Sequence, residues 1–285
     1  MPEFLELLPP LEALSKLLVH LSKSPEPEVI NTETALGRIV FSPVNAFHSL
    51  PEFPRSTVDG YAVMASDTFG ASESLPAYLK LLGEVPMGKS SVMVLKKGEC
   101  ALIHTGGMIP QAADSVVMVE YTQCSQEHEV EILRAVGVGE NVIKIGEDIE
   151  IGDEIISPGA RLRPAEIGGL MAMGFTQVKV ARKPKVGIIS SGDEVISPEG
   201  RPKPGQVRDI NAYTLGALVQ EAGGDPVLFG IIPDDQLAMV DAAARAKEIC
   251  DLVVITAGSS ASTRDLTSIV IGQLGKPGVL VLMFI

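Results

Sequence analysis

The sequence predicts a multidomain α/β protein, and three observations carry that prediction. The chain has 285 residues, about two domains' worth, and is 46% hydrophobic and 21% charged, a globular balance with enough apolar material for a real core. Beyond Lys183, short apolar runs alternate with helical periodicities, the pattern of a parallel sheet joined by crossover helices. From about Tyr78 to Val136, short Val-, Leu- and Ile-rich runs are separated by turn residues, which predicts a small β module of barrel or sandwich type.

Taken in order, Leu11, Leu14, Leu17, Leu18 and Leu21 recur at three- and four-residue steps, so the first segment predicts a helix with one apolar stripe. Pro10 suits its first position, where the missing N–H has no intrahelical partner. A short helical stretch around Thr34–Leu36 then leads into Arg38–Phe41 and a proline-punctuated extended run to Arg55. Strands are predicted at Tyr78–Leu82, Ser91–Leu95, Ser115–Tyr121 and Glu129–Leu133. Pro164–Gly174 reads as a short helix opened by proline and closed by glycine. In the last third, strands at Val186–Ser190, Val227–Ile232 and Leu252–Thr256 alternate with three helices. The first is capped by Asn211 and ended by Gly223–Gly224; the others are Gln236–Ile249 and Leu266–Leu274. The closing run Gly278–Ile285 is apolar and strand-like, and an open α/β sheet wants such a run inside, with more chain after it. A C-terminal truncation, or a frameshift in the last few residues, is the first reading of that ending, and a complete domain ending in a buried strand is the second.

Composition excludes several classes. Asp and Glu outnumber Lys and Arg 36 to 23, and a net charge of −13 repels a phosphate backbone. Eight Phe, four Tyr and no Trp leave few platforms for stacking bases, so nucleic acid is not the expected partner. No apolar run approaches a membrane span, and MPEFLELLPP is acidic where a signal peptide is basic, so a soluble, cytoplasmic protein is expected. Cys100, Cys124 and Cys250 lie far apart, which implies neither a disulfide framework nor a zinc knuckle. His20, His48, His104 and His128 have no metal-ligand spacing. There is no G-x-S-x-G elbow, P-loop or dinucleotide fingerprint, which weighs against an unrelated α/β hydrolase.

What stands out is a set of acids on turn-like segments: Asp59 in STVDGYA, Glu147 and Asp148 in GED, Asp193 and Glu194 in SSGDE, Asp234 and Asp235 in IIPDD, and Asp265 in STRD. Three of these segments sit near predicted strand C-termini, the edge where crossovers open a ligand crevice. Carboxylates gathered there suit Mg²⁺, which takes one or two of them plus substrate phosphate oxygens. Each acid alone reads equally as a turn-former or helix cap; the functional weight lies in the set. The loop Thr256–Ser262 is made of small residues between strand and helix, so a backbone N–H array there suits an anion, though an ordinary loop reads the same way. An anionic substrate beside so many carboxylates needs cations to invert the local field, and Arg208, Arg264 and Lys276 are the candidates.

Eight blocks in this order resemble the molybdopterin molybdotransferase family, which includes bacterial MoeA, the gephyrin E domain and the plant molybdenum insertase domain. They are ALGRIVFSPV (35–44), PRSTVDGYAV (54–63), HTGGMIPQAADSVVMVE (104–120), IKIGEDIEIGD (143–153), SSGDEV (190–195), VRDIN (207–211), GIIPDD (230–235) and TAGSSASTRDLT (256–267). The resemblance implies a split N-terminal α+β domain at 1–50 and 138–182, an inserted β-rich module at 51–137, and a three-layer molybdopterin-binding domain at 183–285. On this resemblance the last is expected to be incomplete, because the family carries a lysine-rich K-P-G-K-P block and a final β domain beyond the strand near Val281. It also implies an insertase that places molybdenum from molybdate onto adenylylated molybdopterin with release of AMP, assisted by Mg²⁺. Motif by motif, Asp59, Thr105, Asp148, Glu194, Asp235 (or its neighbour Asp234) and Asp265 match the family's catalytic positions. Glu194, Asp235 and Asp265 are then the magnesium ligands, while Gly258, Ser259, Ser260 and Arg264 hold the pterin phosphate. The family implies a homodimer, fed by the enzyme that makes the adenylylated pterin. A non-catalytic pterin-binding scaffold or inactive fragment of the same fold is the alternative.

Overall fold

The computed structural model describes residues 9–20, 25–126, 128–256 and 267–275, which sort into two units. One comprises Met1–Phe41, Arg161–Arg163 and Gln177–Ile285; the other comprises Ser42–Ala160 and Pro164–Thr176. In chain order the principal elements are α1 (Pro10–His20), β1 (Pro27–Asn31), β2 (Gly60–Val63), β3 (Ala77–Glu84), β4 (Glu99–Ile103), β5 (Ser115–Met118), β6 (Thr122–Gln126) and β7 (Glu129–Ile132). They continue with α2 (Pro164–Ala172), β8 (Gln177–Ala181), β9 (Lys185–Ser191), α3 (Asn211–Glu221), β10 (Asp225–Ile232), α4 (Gln236–Ile249), β11 (Leu252–Thr256) and α5 (Thr267–Leu274).

The Ser42–Ala160 unit is built on one six-stranded sheet in the order β5-β2-β4-β3-β7-β6, antiparallel except for β3 beside β4. Side chains on a strand alternate between faces, so each strand feeds two apolar layers. Tyr61, Val63, Cys100, Val117, Val130 and Ile132 fill one layer; Ala62, Ala101, Ile103 and Val116 fill the other with Val85 and Ile109. The interior strand β2 is therefore buried along its whole length, and its sequence GYAV shows no polar alternation. That absence, with DGYA reading as a turn, hid β2 from the sequence. The strand predicted at Ser91–Leu95 does not form: Val94 makes a single bridge to Gln111, and Val92 is 92% exposed, with no partner strand to bury it.

In the other unit, β1 pairs antiparallel with β8, and the parallel sheet runs β10-β9-β11. Val186 and Ile188 of β9 face Ala212, Leu215 and Val219 of α3. On the opposite face, Ile189 meets Met239, Ala242, Ala243 and Ala246 of α4 and Val270 of α5. The result is a helix–sheet–helix sandwich: the alternation predicts the parallel sheet with crossover helices, and the resemblance implies its three layers. Full burial of each isoleucine contributes about 1.5–3 kcal/mol to it. The leucines of the α1 stripe, Leu11, Leu14, Leu17 and Leu18, are exposed. The run Gly278–Ile285 lies outside the described residues.

The α3 cap differs from expectation. Asn211 is the first residue inside the helix, and the capping group is Asp209, whose Oδ1 accepts the Ala212 N–H at 3.1 Å. Asp209 wins because its buried carboxylate is anchored twice: Oδ2 accepts the Ser190 hydroxyl at 2.6 Å from the end of β9. Replacing Asp209 by alanine strands a buried hydroxyl and an uncapped N–H, and is expected to cost about 2–4 kcal/mol in chemical denaturation. Asn at 209 keeps one acceptor oxygen for the Ala212 N–H and turns an amide N–H toward the Ser190 hydroxyl oxygen, and is expected to cost less; equal losses for the two variants would show that the cap contributes nothing.

Candidate functional site

Polar groups gather at two places, one in each unit. The first begins with a close approach of backbones. Gly60 pairs with Ile103 of β4 on one side and Met118 of β5 on the other, and a Cβ there would stand 1.9 Å from the Val117 carbonyl oxygen. Only glycine fits, and the Asp59 carbonyl is pinned as well, accepting the Val119 N–H at 3.0 Å. On the neighbouring strand, β4 ends in the turn His104–Gly107. The Gly106 N–H donates to Ser56 O at 2.8 Å, and the Ser56 N–H donates to Gly107 O at 3.0 Å. Gly106 takes φ +82°, and at Gly107 a Cβ would come within 2.8 Å of His104 O.

These constraints put Asp59 against that turn. Its Oδ1 accepts the Thr105 N–H at 2.8 Å and the Thr105 hydroxyl at 3.2 Å. His104 Nδ1 stands 3.7 Å from the same oxygen, while His104 Nε2 lies 3.1 Å from Glu84 Oε1 at the end of β3. The Thr105 N–H and then its hydroxyl hold the Asp59 carboxyl below its ordinary range against an opposing desolvation, and the His104 charge adds a weaker pull in the same direction as Thr105. Every one of these contacts falls on Oδ1, which leaves Oδ2 for a ligand. Asp148 belongs to the same unit but is held by Arg55, at 3.8 Å, and not by Asp59 or Thr105. Its neighbour Glu147 turns back to accept the Lys144 N–H at 2.9 Å, a turn-forming role.

The second place is the C-terminal edge of β9 and β10. Ser191 Oγ donates to Asp234 Oδ1 at 2.8 Å, and the Asp234 N–H donates to Asp193 Oδ1 at 3.2 Å, which laces the two turns together. Gly192 adopts φ +138°, and the Glu194 carboxylate folds over it: a Cβ there would meet Glu194 Oε2 at 2.9 Å. Asp235 instead caps α4, with Oδ1 accepting the Ala238 N–H at 2.9 Å. Of the two adjacent aspartates, Asp234 is the one joined to the SSGDE turn. Arg208 donates from Nε to Pro198 O at 3.0 Å. Gly258, Ser259, Ser260, Arg264, Asp265 and Lys276 lie outside the described residues.

Glu84, His104, Ser191 and Asp193 were absent from the residues assigned by resemblance. Among the described residues no three His, Cys, Asp or Glu side chains group to hold a metal ion. With Asp235 Oδ1 committed to a helix cap, the described carboxylates do not by themselves fit magnesium. A cavity of about 360 Å³ between α4, β11 and α5 is lined by Lys247, Cys250, Leu252, Ile255 and Ile271, and none of the described acids singled out above lines it. No helix among the described residues is long and apolar enough to cross a membrane.

Comparison with known proteins covers nearly the whole chain. Residues 8–174 match the family model described as "MoeA N-terminal region (domain I and II)", and residues 187–283 match "Probable molybdopterin binding domain". The molybdopterin molybdenumtransferase of Nostoc sp. is 34% identical over 259 residues, spanning 91% of this chain and 59% of its own length. The Bacillus subtilis protein of the same name is 32% identical, spanning 93% and 63%. A crystal structure of a molybdopterin biosynthesis moeA protein from Pyrococcus horikoshii superposes with TM-score 0.84 at 35% identity, covering 90% of this chain and 68% of that one. The chain thus spans about 60% of the length of these curated relatives.

Proposed function

The chain belongs to the MoeA family, and from that premise we propose that it acts in molybdenum cofactor biosynthesis as a molybdopterin molybdenumtransferase. In this reading it takes molybdate and adenylylated molybdopterin, releases AMP and leaves molybdenum on the pterin dithiolene. The observation that carries the reading is the C-terminal edge of the parallel sheet, where Ser191, Asp193 and Asp234 lace the turns after β9 and β10. That edge is where open α/β sheets bind ligands, and it falls within the stretch that matches the molybdopterin-binding model.

Within this reading Asp59, Thr105, Asp148, Glu194, Asp235 or its neighbour Asp234, and Asp265 serve catalysis, with Asp234 the one laced to the SSGDE turn, and Gly258, Ser259, Ser260 and Arg264 hold the phosphate of the pterin. Magnesium at Glu194, Asp235 and Asp265 would follow from the family reading, but the described carboxylates do not by themselves fit it, since Asp235 Oδ1 is committed to the cap of α4. The protein is proposed to work in the cytoplasm as a homodimer, receiving its substrate from the enzyme that adenylylates the pterin. The exposed leucines of α1 support self-association. The test is molybdate-dependent release of AMP from adenylylated molybdopterin, followed by chromatography. Release above the no-molybdate control is expected. Folded protein that releases none sinks the enzymatic reading, and calorimetric pterin binding in that same sample would favour the scaffold alternative.

A further inference from the structure

His104 lies between two acceptors. Neutral imidazole carries one N–H and one lone pair, so it can donate to only one of them. Nε2 is at hydrogen-bond distance from Glu84 Oε1, 3.1 Å, whereas Nδ1 is 3.7 Å from Asp59 Oδ1. The neutral ring therefore keeps its hydrogen on Nε2 and turns a lone pair toward a carboxylate oxygen. A second proton, arriving on Nδ1, converts that repulsion into a charge-assisted hydrogen bond. The charged groups within ion-pair reach of the ring are Glu84, from the end of β3, and Asp59, from the turn before β2.

We propose that His104 is a positioning residue for Asp59, with Glu84 fixing its tautomer so that the titrating proton is the one on Nδ1, facing Asp59 Oδ1. The inference rests on the reading of Asp59 as part of the site. Its physical consequence is local. Protonated His104 joins Thr105 in holding Oδ1, leaving Oδ2 as the ligand-facing oxygen; neutral His104 leaves Asp59 held by Thr105 alone. The groups are substantially exposed, with side chains 62% and 42% accessible for Asp59 and His104, so the pair does little for stability and its effect is on orientation.

The first measurement needs no turnover. In protein labelled with ¹⁵N-histidine, long-range ¹H–¹⁵N correlations are assigned by loss of one set in H104Q. Neutral His104 is expected to be the Nε2–H tautomer, and E84A is expected to shift it toward Nδ1–H. The Asp59 side-chain carboxyl ¹³C resonance should move as His104 titrates, and should lose that step in H104Q. A wild-type Nδ1–H tautomer, or a tautomer unchanged in E84A, overturns the proposal whether or not the protein releases AMP. In the activity assay, H104A is expected to lose about tenfold in kcat/KM together with the histidine limb of its pH profile. H104N, which keeps a donor near the Nδ1 position, should recover part of the rate with a flat profile. Retention of that limb in H104A overturns the proposal, and failure of AMP release in wild type counts against the functional reading alone.

Discussion

Gly60→Ala is expected to abolish cooperative folding of the Ser42–Ala160 unit, seen as loss of its thermal transition by circular dichroism. The added Cβ would lie 1.9 Å from Val117 O, 2.9 Å from Val117 C and 3.1 Å from Met118 Cα. All three are backbone atoms of β5, so no side chain can rotate away. Relief requires β5 to separate from β2, and the Gly60 to Val63 register with Met118 to Ser115 is lost with it. Both cores then open, because Tyr61, Val63 and Val117 serve one layer and Ala62 and Val116 the other. Roughly 4 kcal/mol or more is expected, at the upper end for single substitutions and comparable with a marginal domain's whole stability. Gly168→Ala is the control. That glycine lies in α2, needs no positive φ, and a Cβ there meets nothing within 4 Å. It should be neutral or stabilising by about 0.5–1 kcal/mol. A Gly60→Ala protein that melts within a few degrees of wild type would refute the steric argument.

That glycine also shows where the sequence was legible and where it was not. The β9–β10–β11 half could be read because its order is local: apolar strands, helical periodicity and turn glycines alternate within a few residues of one another. The β2 strand could not, because GYAV is buried by strands 39 to 58 residues away and carries no period of its own. The same distance hid Glu84 and His104. Asp59 and Thr105 were each singled out by motif, but their partnership comes from antiparallel pairing of β2 with β4, and Glu84 enters through the parallel pairing of β3 with β4. Short-range ambiguity explains other differences. Asp209 and Asn211 both have capping chemistry, and Ser190, nineteen residues upstream, decides between them. Likewise Asp234 and Asp235 are adjacent acids, and which one joins the SSGDE turn depends on the start of α4.

Asp59→Asn separates shape from charge at this site. An asparagine carbonyl can take the place of Oδ1 and accept the Thr105 N–H and hydroxyl, so the turn is expected to survive and the melting temperature at pH 7 to change little. The lost feature is the negative charge that wild-type Asp59 carries at neutral pH, reinforced by the Thr105 and His104 contacts that lower its protonation range. If that carboxylate orients or stabilises charge during transfer, turnover should fall on the order of 100-fold with folding intact. The pH dependence has a definite sign. A carboxyl whose folded value lies below its unfolded one contributes stability that is present above the unfolded value and lost as pH falls through the folded one. The wild-type protein should therefore lose slightly more stability than the asparagine variant between neutral pH and the acid side of the carboxylate range. Melting temperatures of both proteins at pH 7 and about pH 3, beside AMP release at pH 7, measure the two effects separately. An asparagine variant that unfolds at pH 7 would make Asp59 a structural residue, and one that turns over within threefold of wild type would remove its charge from the mechanism.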